Sequence, residues 1–251
     1  MKAQDIIAAL ALPPDARVDQ RVPKKLFLEQ GAPTAADKRA IQDGIEEVLW
    51  VAALKPTNIG VPAFRDEARE YLEIAVLTAS FRAQAKAGRL VELIHRAIPY
   101  PLLLVTEHAD NVALSMAQKR ASQAEAAAVV LDGAIVEASM GADSPEHQAA
   151  FLDSLRLANQ PNSDLQALYA GWIERLQAFA ASRLTGQYTL TQTVSEAAAR
   201  QTALDDHAKI LREIAGLRAK AAKEKQINRR VDINLAIQRL EDELHAATKK
   251  L

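Results

Sequence analysis

Glu107, His108 and Asp110 fall within four residues of one another in the stretch IPYPLLLVTEHADNVALSMAQKR, Ile98 to Arg120. These are the residue types of general acids, general bases and metal ligands. A second set, Glu46, Glu47 and Glu73 with Lys55, supplies the types of a metal-dependent nuclease. In that chemistry two or three carboxylates on adjacent strand ends hold Mg²⁺, and a lysine polarises the attacking water. No acidic-x-Lys tripeptide on a strand follows a preceding Asp at the usual spacing, so the nuclease reading stands as an alternative, a cryptic metal site around Glu47, Glu73 and Lys55. Serine nucleophile motifs of the GxSxG or SxxK kind are absent, and the five histidines form no HxxxH or HxH pair. None of the nine glycines builds GxGxxG or GxxxxGK[ST], which argues against dinucleotide and Walker-type phosphate loops.

The elements that must position these residues decide between chemistry and structure. PLLLVTEH and VALSMAQ are β-rich runs separated by Ala109-Asp110-Asn111, and Asp and Asn tolerate turn dihedrals, so the stretch predicts a hairpin. On such a strand Glu107 and His108 point to opposite faces and Asp110 sits in the turn; the triplet reads as the polar tip of the hairpin. EEVLWVAALKP and EYLEIAVLTAS predict two further strands, and KKLFLEQ (Lys24 to Gln30) a short one. AAAVVLD and AIVEASM flank Asp132-Gly133, a favoured two-residue turn, and predict a second hairpin. Helices are expected over Lys2 to Ala11, from Ala35 to about Ile45 with Thr34 as N-cap, and from Phe81 to Ala97. In the last of these Leu90, Leu93, Ile94 and Ala97 share a face, and Pro99 and Pro101 end it.

Composition changes after GADSPEH, residues 141–147. Ser144 as cap, Pro145 in a first turn and an apolar face of Phe151, Leu152, Leu155 and Leu157 predict a helix. Asp164 to about Leu184 predicts another, with Leu165, Leu168, Trp172, Leu176 and Phe179 on one side. Beyond Val194 there is no Pro, and Gly216 is the only Gly. His207, Ile210, Ile214, Leu217 and Ala221 are spaced 3, 4, 3, 4; Ile233, Ile237, Leu240, Leu244, Ala247 and Leu251 are spaced 4, 3, 4, 3, 4. Both are heptad seams, and they call for a partner: the same chain as a helical hairpin, a second copy, or another protein. Ile210, Ile214, Leu217, Ile233, Ile237, Leu240 and Leu244 are therefore the candidate partner-binding residues. The expected architecture is α+β, with a mainly antiparallel sheet and flanking helices over residues 1–142, a helical connector over 143–190, and a coiled-coil-like helical region over 191–251.

Bulk properties narrow the partners. The 31 basic and 32 acidic side chains cancel, so contact with nucleic acid must come from a local patch. The densest is Arg218, Lys220, Lys223, Lys225, Arg229 and Arg230, interrupted only by Glu224; a phosphate grip there competes with a plain solvated face beside the seam. A smaller basic surface combines Lys24 and Lys25 with Lys119 and Arg120. His95 and Arg96, at a helix C-terminus, are explained by the helix dipole alone. No Cys is present, which excludes disulfides and thiolate chemistry. The N-terminus is a poor signal peptide, and the longest apolar runs are about half of what a membrane span needs. A cytoplasmic protein with no cofactor and no membrane partner is the expectation.

The segments KKLFLEQ, EEVLWVAALKPTNIGVPAF, REYLEIAVLTA, ELIHRAIPYPLLLV and ALSMAQKR, in this order, with NRRVDINLAIQRLEDEL near the C-terminus, resemble an uncharacterised bacterial domain-of-unknown-function family. The Trp50, Leu54-Lys55-Pro56 block and IHRAIPYP are the most specific pieces. The resemblance implies genes clustered with helicases and site-specific DNA methyltransferases, in restriction or antiphage defence islands. It supplies no catalytic residues. The expected role is a non-catalytic accessory subunit of such a system, docking on a helicase or methyltransferase, or on DNA, with homo-oligomerisation through the C-terminal helices as one mode of assembly. The alternatives are the nuclease and a DNA-binding module acting through the Arg218 to Arg230 patch.

Overall fold

A computed structural model describes residues 1–122, 129–141, 145–248 and 251. The chain divides into two compact units, Met1–Leu176 and Gln177–Leu251. In the first, α1 (Ala3–Ala9) and a 3₁₀ turn (Pro14–Ala16) precede β1 (Arg17–Arg21), α2 (Lys24–Gln30), α3 (Ala35–Gly44) and β2 (Ile45–Leu54). The short α4 (Pro56–Ile59) and the paired β3 (Phe64–Arg65) and β4 (Glu70–Tyr71) lead to β5 (Ile74–Phe81). Then come α5 (Ala87–Ala97), β6 (Leu102–His108), β7 (Asn111–Met116), β8 (Lys119–Ala121), β9 (Val129–Leu131), β10 (Val136–Met140), α6 (Pro145–Ser154) and α7 (Leu165–Thr185), in which the unit boundary falls.

Six strands form the main sheet in the order β1-β2-β5-β6-β7-β10. Every neighbouring pair is antiparallel except β5 and β6, which are parallel. The exception follows from the connection: α5 carries the chain back across the sheet, and only such a crossover joins parallel neighbours. β6 accordingly reads as a continuous apolar run buried from Leu102 to Val105, as a central strand covered on both faces must be. Alternation puts Ala75, Leu77, Leu102 and Leu104 in one core with Phe27, Ile41, Leu90, Leu93 and Ile94 from α2, α3 and α5. α1 packs on β6 and on α6.

The α+β class and the mainly antiparallel sheet are as expected, and so is the 102–116 hairpin, closed by Ala109 (φ 52°) and Asp110 with His108 opposite Asn111. Thr34 caps α3: its hydroxyl accepts the Asp37 N–H (3.1 Å) and donates to the Asp37 carboxylate (2.7 Å). Arg89 donates to the same carboxylate (2.8 Å), and this bond, with the Thr34 hydroxyl, holds the Asp37 acid down to about 2.

Three expectations are corrected. KKLFLEQ is the helix α2, not a strand. Pro23, extended, sits at its N-cap, good helix formers fill it, and one helical turn buries Phe27 with Leu26 and Leu28 packed partly beside it. The helix expected from Phe81 begins at Ala87, because Phe81 still pairs with Ile45 and His108 in the sheet. Asp132-Gly133 closes no hairpin: β9 pairs with β8, while β10 pairs with the open edge of β7. Residues 126–128 of AAAVVLD and the Ser144 cap lie outside the described residues.

In the second unit, α8 (Val194–Lys223) and α9 (Ile227–Thr248) pack on each other as a hairpin joined by Glu224–Gln226. His207, Ile214, Ile237 and Ala247 are buried; Ile210, Leu217, Ile233, Leu240 and Leu244 are half-buried. The seams thus face inward within one chain, and Arg218 clamps the pair through Glu241 (2.7 Å).

Candidate functional site

The Glu107-His108-Asp110 triplet disperses into three local tasks. Glu107 Oε1 accepts the Ala3 N–H (2.6 Å), satisfying a free donor in the first turn of α1. His108 Nε2 donates to the Ala83 carbonyl (3.0 Å), which fixes its tautomer because a carbonyl only accepts. Asp110 is exposed in the turn. The nuclease set does not assemble either. Lys55 pairs with Glu73 (3.1 Å) where β2 ends beside the start of β5, but Glu47 lies opposite Ser80 toward the other end of β2 and pairs with Arg21 (3.5 Å). Eight residues along a strand separate Glu47 from Lys55 by roughly 26 Å. Among the described residues no group of three or more His, Asp or Glu side chains could hold a metal ion.

The basic candidates separate in the same way. On α2, Lys24 donates to the Gln42 carbonyl (3.2 Å) and Lys25 pairs with Glu29 (3.6 Å). Lys119 and Arg120 instead lie on β8, where the chain builds a cavity of about 370 Å³ from three pieces: the β3–β4 hairpin, the Pro99-Tyr100-Pro101 segment and β8 itself. Each piece has a local reason. Pro99 holds Ile98 extended and stops α5, so the Ile98 and Tyr100 carbonyls are left without helical partners. Lys119 Nζ donates to both, the Tyr100 bond being 2.7 Å. Asp66 Oδ1 accepts the N–H groups of Ala68 (2.8 Å) and Arg69 (2.6 Å), shaping the hairpin turn. The Ala121 N–H then donates to the Ala68 carbonyl (2.7 Å), tying that turn to β8. Tyr71, whose hydroxyl meets Gln118, packs between Phe64 and Tyr169.

Lys119 is therefore no surface cation. It is 5% exposed, and burial pushes its amine down to about 7. Among the described residues it has no carboxylate partner. Arg69 donates to Asp132 (2.6 Å), and Arg120 approaches the other oxygen of the same carboxylate (3.6 Å), so two guanidinium groups share one acid. Arg69 Nε is buried and, among the described residues, has no hydrogen-bond partner. Arg65 is paired with Glu70. Tyr100, 40% exposed, completes the wall, its ring tilted 58° to that of Trp50 at 6.1 Å. Arg65, Arg69, Tyr100 and Asp132 were invisible as a group in the sequence; the RDEARE charge cluster marks Arg65 and Arg69 alone.

Deeper in the core, His95 Nε2 lies 3.0 Å from Ser115 Oγ, and Ser115 donates onward to the Leu104 carbonyl (3.4 Å). The histidine is then the donor at Nε2, and its unprotonated Nδ1 has no partner. Burial, and then the nearby Lys119 charge, push its pKa down to about 3. This Ser–His pair is fully buried, a core hydrogen bond rather than a nucleophile and its base.

In the second unit, Arg218, Lys220, Lys223, Lys225, Arg229 and Arg230 are all exposed around the α8–α9 connection. Arg218 is paired with Glu241; among the described residues the other five form no ion pair. Ile227, Val231 and Leu235, 69%, 50% and 49% exposed, repeat every four residues along the same stretch of α9. They form a stripe offset from the seam that heptad counting does not register.

Among the described residues no helix is long and apolar enough to cross a membrane. No curated protein and no solved structure matches the chain. A family model does, over residues 10–244, through both units: the chain belongs to the family described as domain of unknown function DUF4391.

Proposed function

We propose that the protein is a non-catalytic accessory subunit of a bacterial DNA-modification, restriction or antiphage defence system. It works in the cytoplasm and touches nucleic acid through the α8–α9 connection while docking on the helicase or DNA methyltransferase of the same gene cluster. The observation that carries this reading is the basic turn: Lys220 and Lys223 at the end of α8, Lys225 in the connection and Arg229 and Arg230 at the start of α9, all exposed and, among the described residues, without an acidic partner, in a chain whose total charge is balanced. Exposed cations held apart from carboxylates release counterions when they meet phosphates, and that release drives sequence-independent binding. The carboxylates that a nuclease would need lie apart, Glu47 paired with Arg21 toward one end of β2 and Glu73 paired with Lys55 beyond the other, which favours a binding role over a cleaving one.

Fluorescence anisotropy of the whole protein with a labelled DNA duplex, titrated between 50 and 300 mM salt, tests the contact. The affinity is expected to fall steeply, and Lys223→Glu with Arg229→Glu to flatten the log–log salt slope by about 2. A salt-insensitive affinity, or one untouched by the double reversal, overturns it. Co-expression with the neighbouring helicase or methyltransferase tests the docking half, since a chain that never co-purifies with either is no subunit of such a system.

A further inference from the structure

The cavity between the β3–β4 hairpin, Pro99–Pro101 and β8 lies in the other unit and owes nothing to the basic turn. Two of its donors are incomplete. Lys119 is buried, and among the described residues its Nζ reaches only the two carbonyls of Ile98 and Tyr100. Buried amines of this kind are nearly always paired with an acid. Arg69 donates to Asp132 through Nη2, but its Nε, also buried, has no acceptor among the described residues, and a buried N–H without a partner is rare in a folded chain. Arg120 shares that one carboxylate at longer range. The acids on the wall do not close the account. Asp66 spends Oδ1 on the turn amides, Glu70 is held by Arg65, and Glu67 is exposed, where solvent and salt screen it. The cavity also carries apolar side chains in its lining, Leu72, Pro99, Tyr100 and Val129. Its volume of about 370 Å³ lies within the range of roughly 300–1,000 Å³ typical of small-molecule sites.

We infer that this cavity binds a phosphate monoester carried on a planar ring, a nucleotide in chemical class, with the phosphate on Arg69, Arg120 and Lys119 and the ring against Tyr100. A phosphate oxygen supplies the acceptor that Arg69 Nε lacks and the counter-charge that Lys119 lacks, and guanidinium groups match phosphate geometry. The exposed Tyr100 ring offers the stacking surface that bases use without regard to sequence. The same group reaches the cavity from either of two sources, a free mononucleotide or the terminal nucleotide of a strand.

Isothermal titration of the full chain with adenosine 5′-monophosphate, adenosine and inorganic phosphate tests the site. The monophosphate is expected to bind about tenfold tighter than either half alone, because a charge-assisted hydrogen bond and a stacking contact are each worth on the order of that factor. Arg120→Gln and Tyr100→Ala, both at partly exposed positions, are each expected to weaken it about tenfold while the circular dichroism spectrum is kept. No binding, equal binding of adenosine or inorganic phosphate, or affinity unchanged in both variants overturns the inference. Oligonucleotides with and without a 5′-phosphate, titrated against the Lys223→Glu, Arg229→Glu protein, separate the sources: a preference for the phosphorylated end assigns a strand terminus, and binding of the mononucleotide alone assigns a free ligand.

Discussion

Lys119 and His95 are cationic side chains held where their charged forms are disfavoured, and this gives the first unit a pH dependence that can be worked out by sign. Lys119 titrates near 7 in the folded chain, against about 10.4 when unfolded. Between those values the unfolded chain holds the extra proton, so stability rises with pH across that window, by at most about 1.4 kcal/mol per unit. Below 7 both states are protonated and the penalty is constant. His95 follows the same rule lower down, with stability rising from about pH 3 toward 6.5. Lys119→Met is expected to remove the upper limb alone. Urea unfolding at pH 7, 8.5 and 10 should show the stability of the variant relative to wild type at its highest at pH 7 and declining toward pH 10. A constant difference would mean that the Lys119 amine titrates as though in water. The other catalytic-looking residues serve local structure: Glu107 and His108 satisfy backbone groups, and Glu73 pairs with Lys55.

Elements were legible where a periodic signal ran long enough to exceed the noise of single residues. The β2, β5 and β6–β7 strands and the face of α5 were of this kind, because burial on one or both sides leaves a run or an alternation. Seven residues of KKLFLEQ were too few, and Leu-Phe-Leu satisfies a strand pattern as well as one helical turn. Asp132-Gly133 misled for another reason: turn chemistry is local, but the partner of a strand is set by which edge is open, and β7 offered one to β10. The cavity was not legible, since it is assembled from residues 65–70, 72, 99–101, 119–121 and 129 with no spacing in common. Packing at this scale makes a paired prediction. A Cβ on Gly31 would lie 2.7 Å from the Leu93 carbonyl oxygen and 2.9 Å from Ala97 Cβ, where the end of α2 meets α5. Gly88, in the first turn of α5, has nothing within 4 Å. Gly31→Ala should therefore cost roughly 1–3 kcal/mol through overpacking, whereas Gly88→Ala should stabilise by up to about 1 kcal/mol through helix propensity. Denaturant midpoints of the two variants decide it, and equal signs would refute the packing of α2 on α5.

At the scale of the whole molecule, the chain keeps two apolar systems apart in sequence: a sheet core complete by Leu176 and a helical seam between α8 and α9. The seam residues left open whether their partner was internal, and the hairpin settles them against each other. Assembly through that same seam would require the hairpin to open, which directs attention to the outward stripe of Ile227, Val231 and Leu235. A two-helix hairpin buries little surface per residue, so each seam side chain carries a large share of its stability. Ile214→Ala and Ile237→Ala should each cost about 2 kcal/mol, the low end for a buried isoleucine because both sit in a thin interface. By the usual conversion this is roughly thirtyfold in an equilibrium constant. Amide hydrogen exchange separates local from global effects: amides of α8 and α9 should exchange roughly thirtyfold faster in either variant, while those of β5 and β6 keep wild-type protection. If the strand amides accelerate in step with the helical ones, the two units open together and the division at Leu176 is not a thermodynamic one.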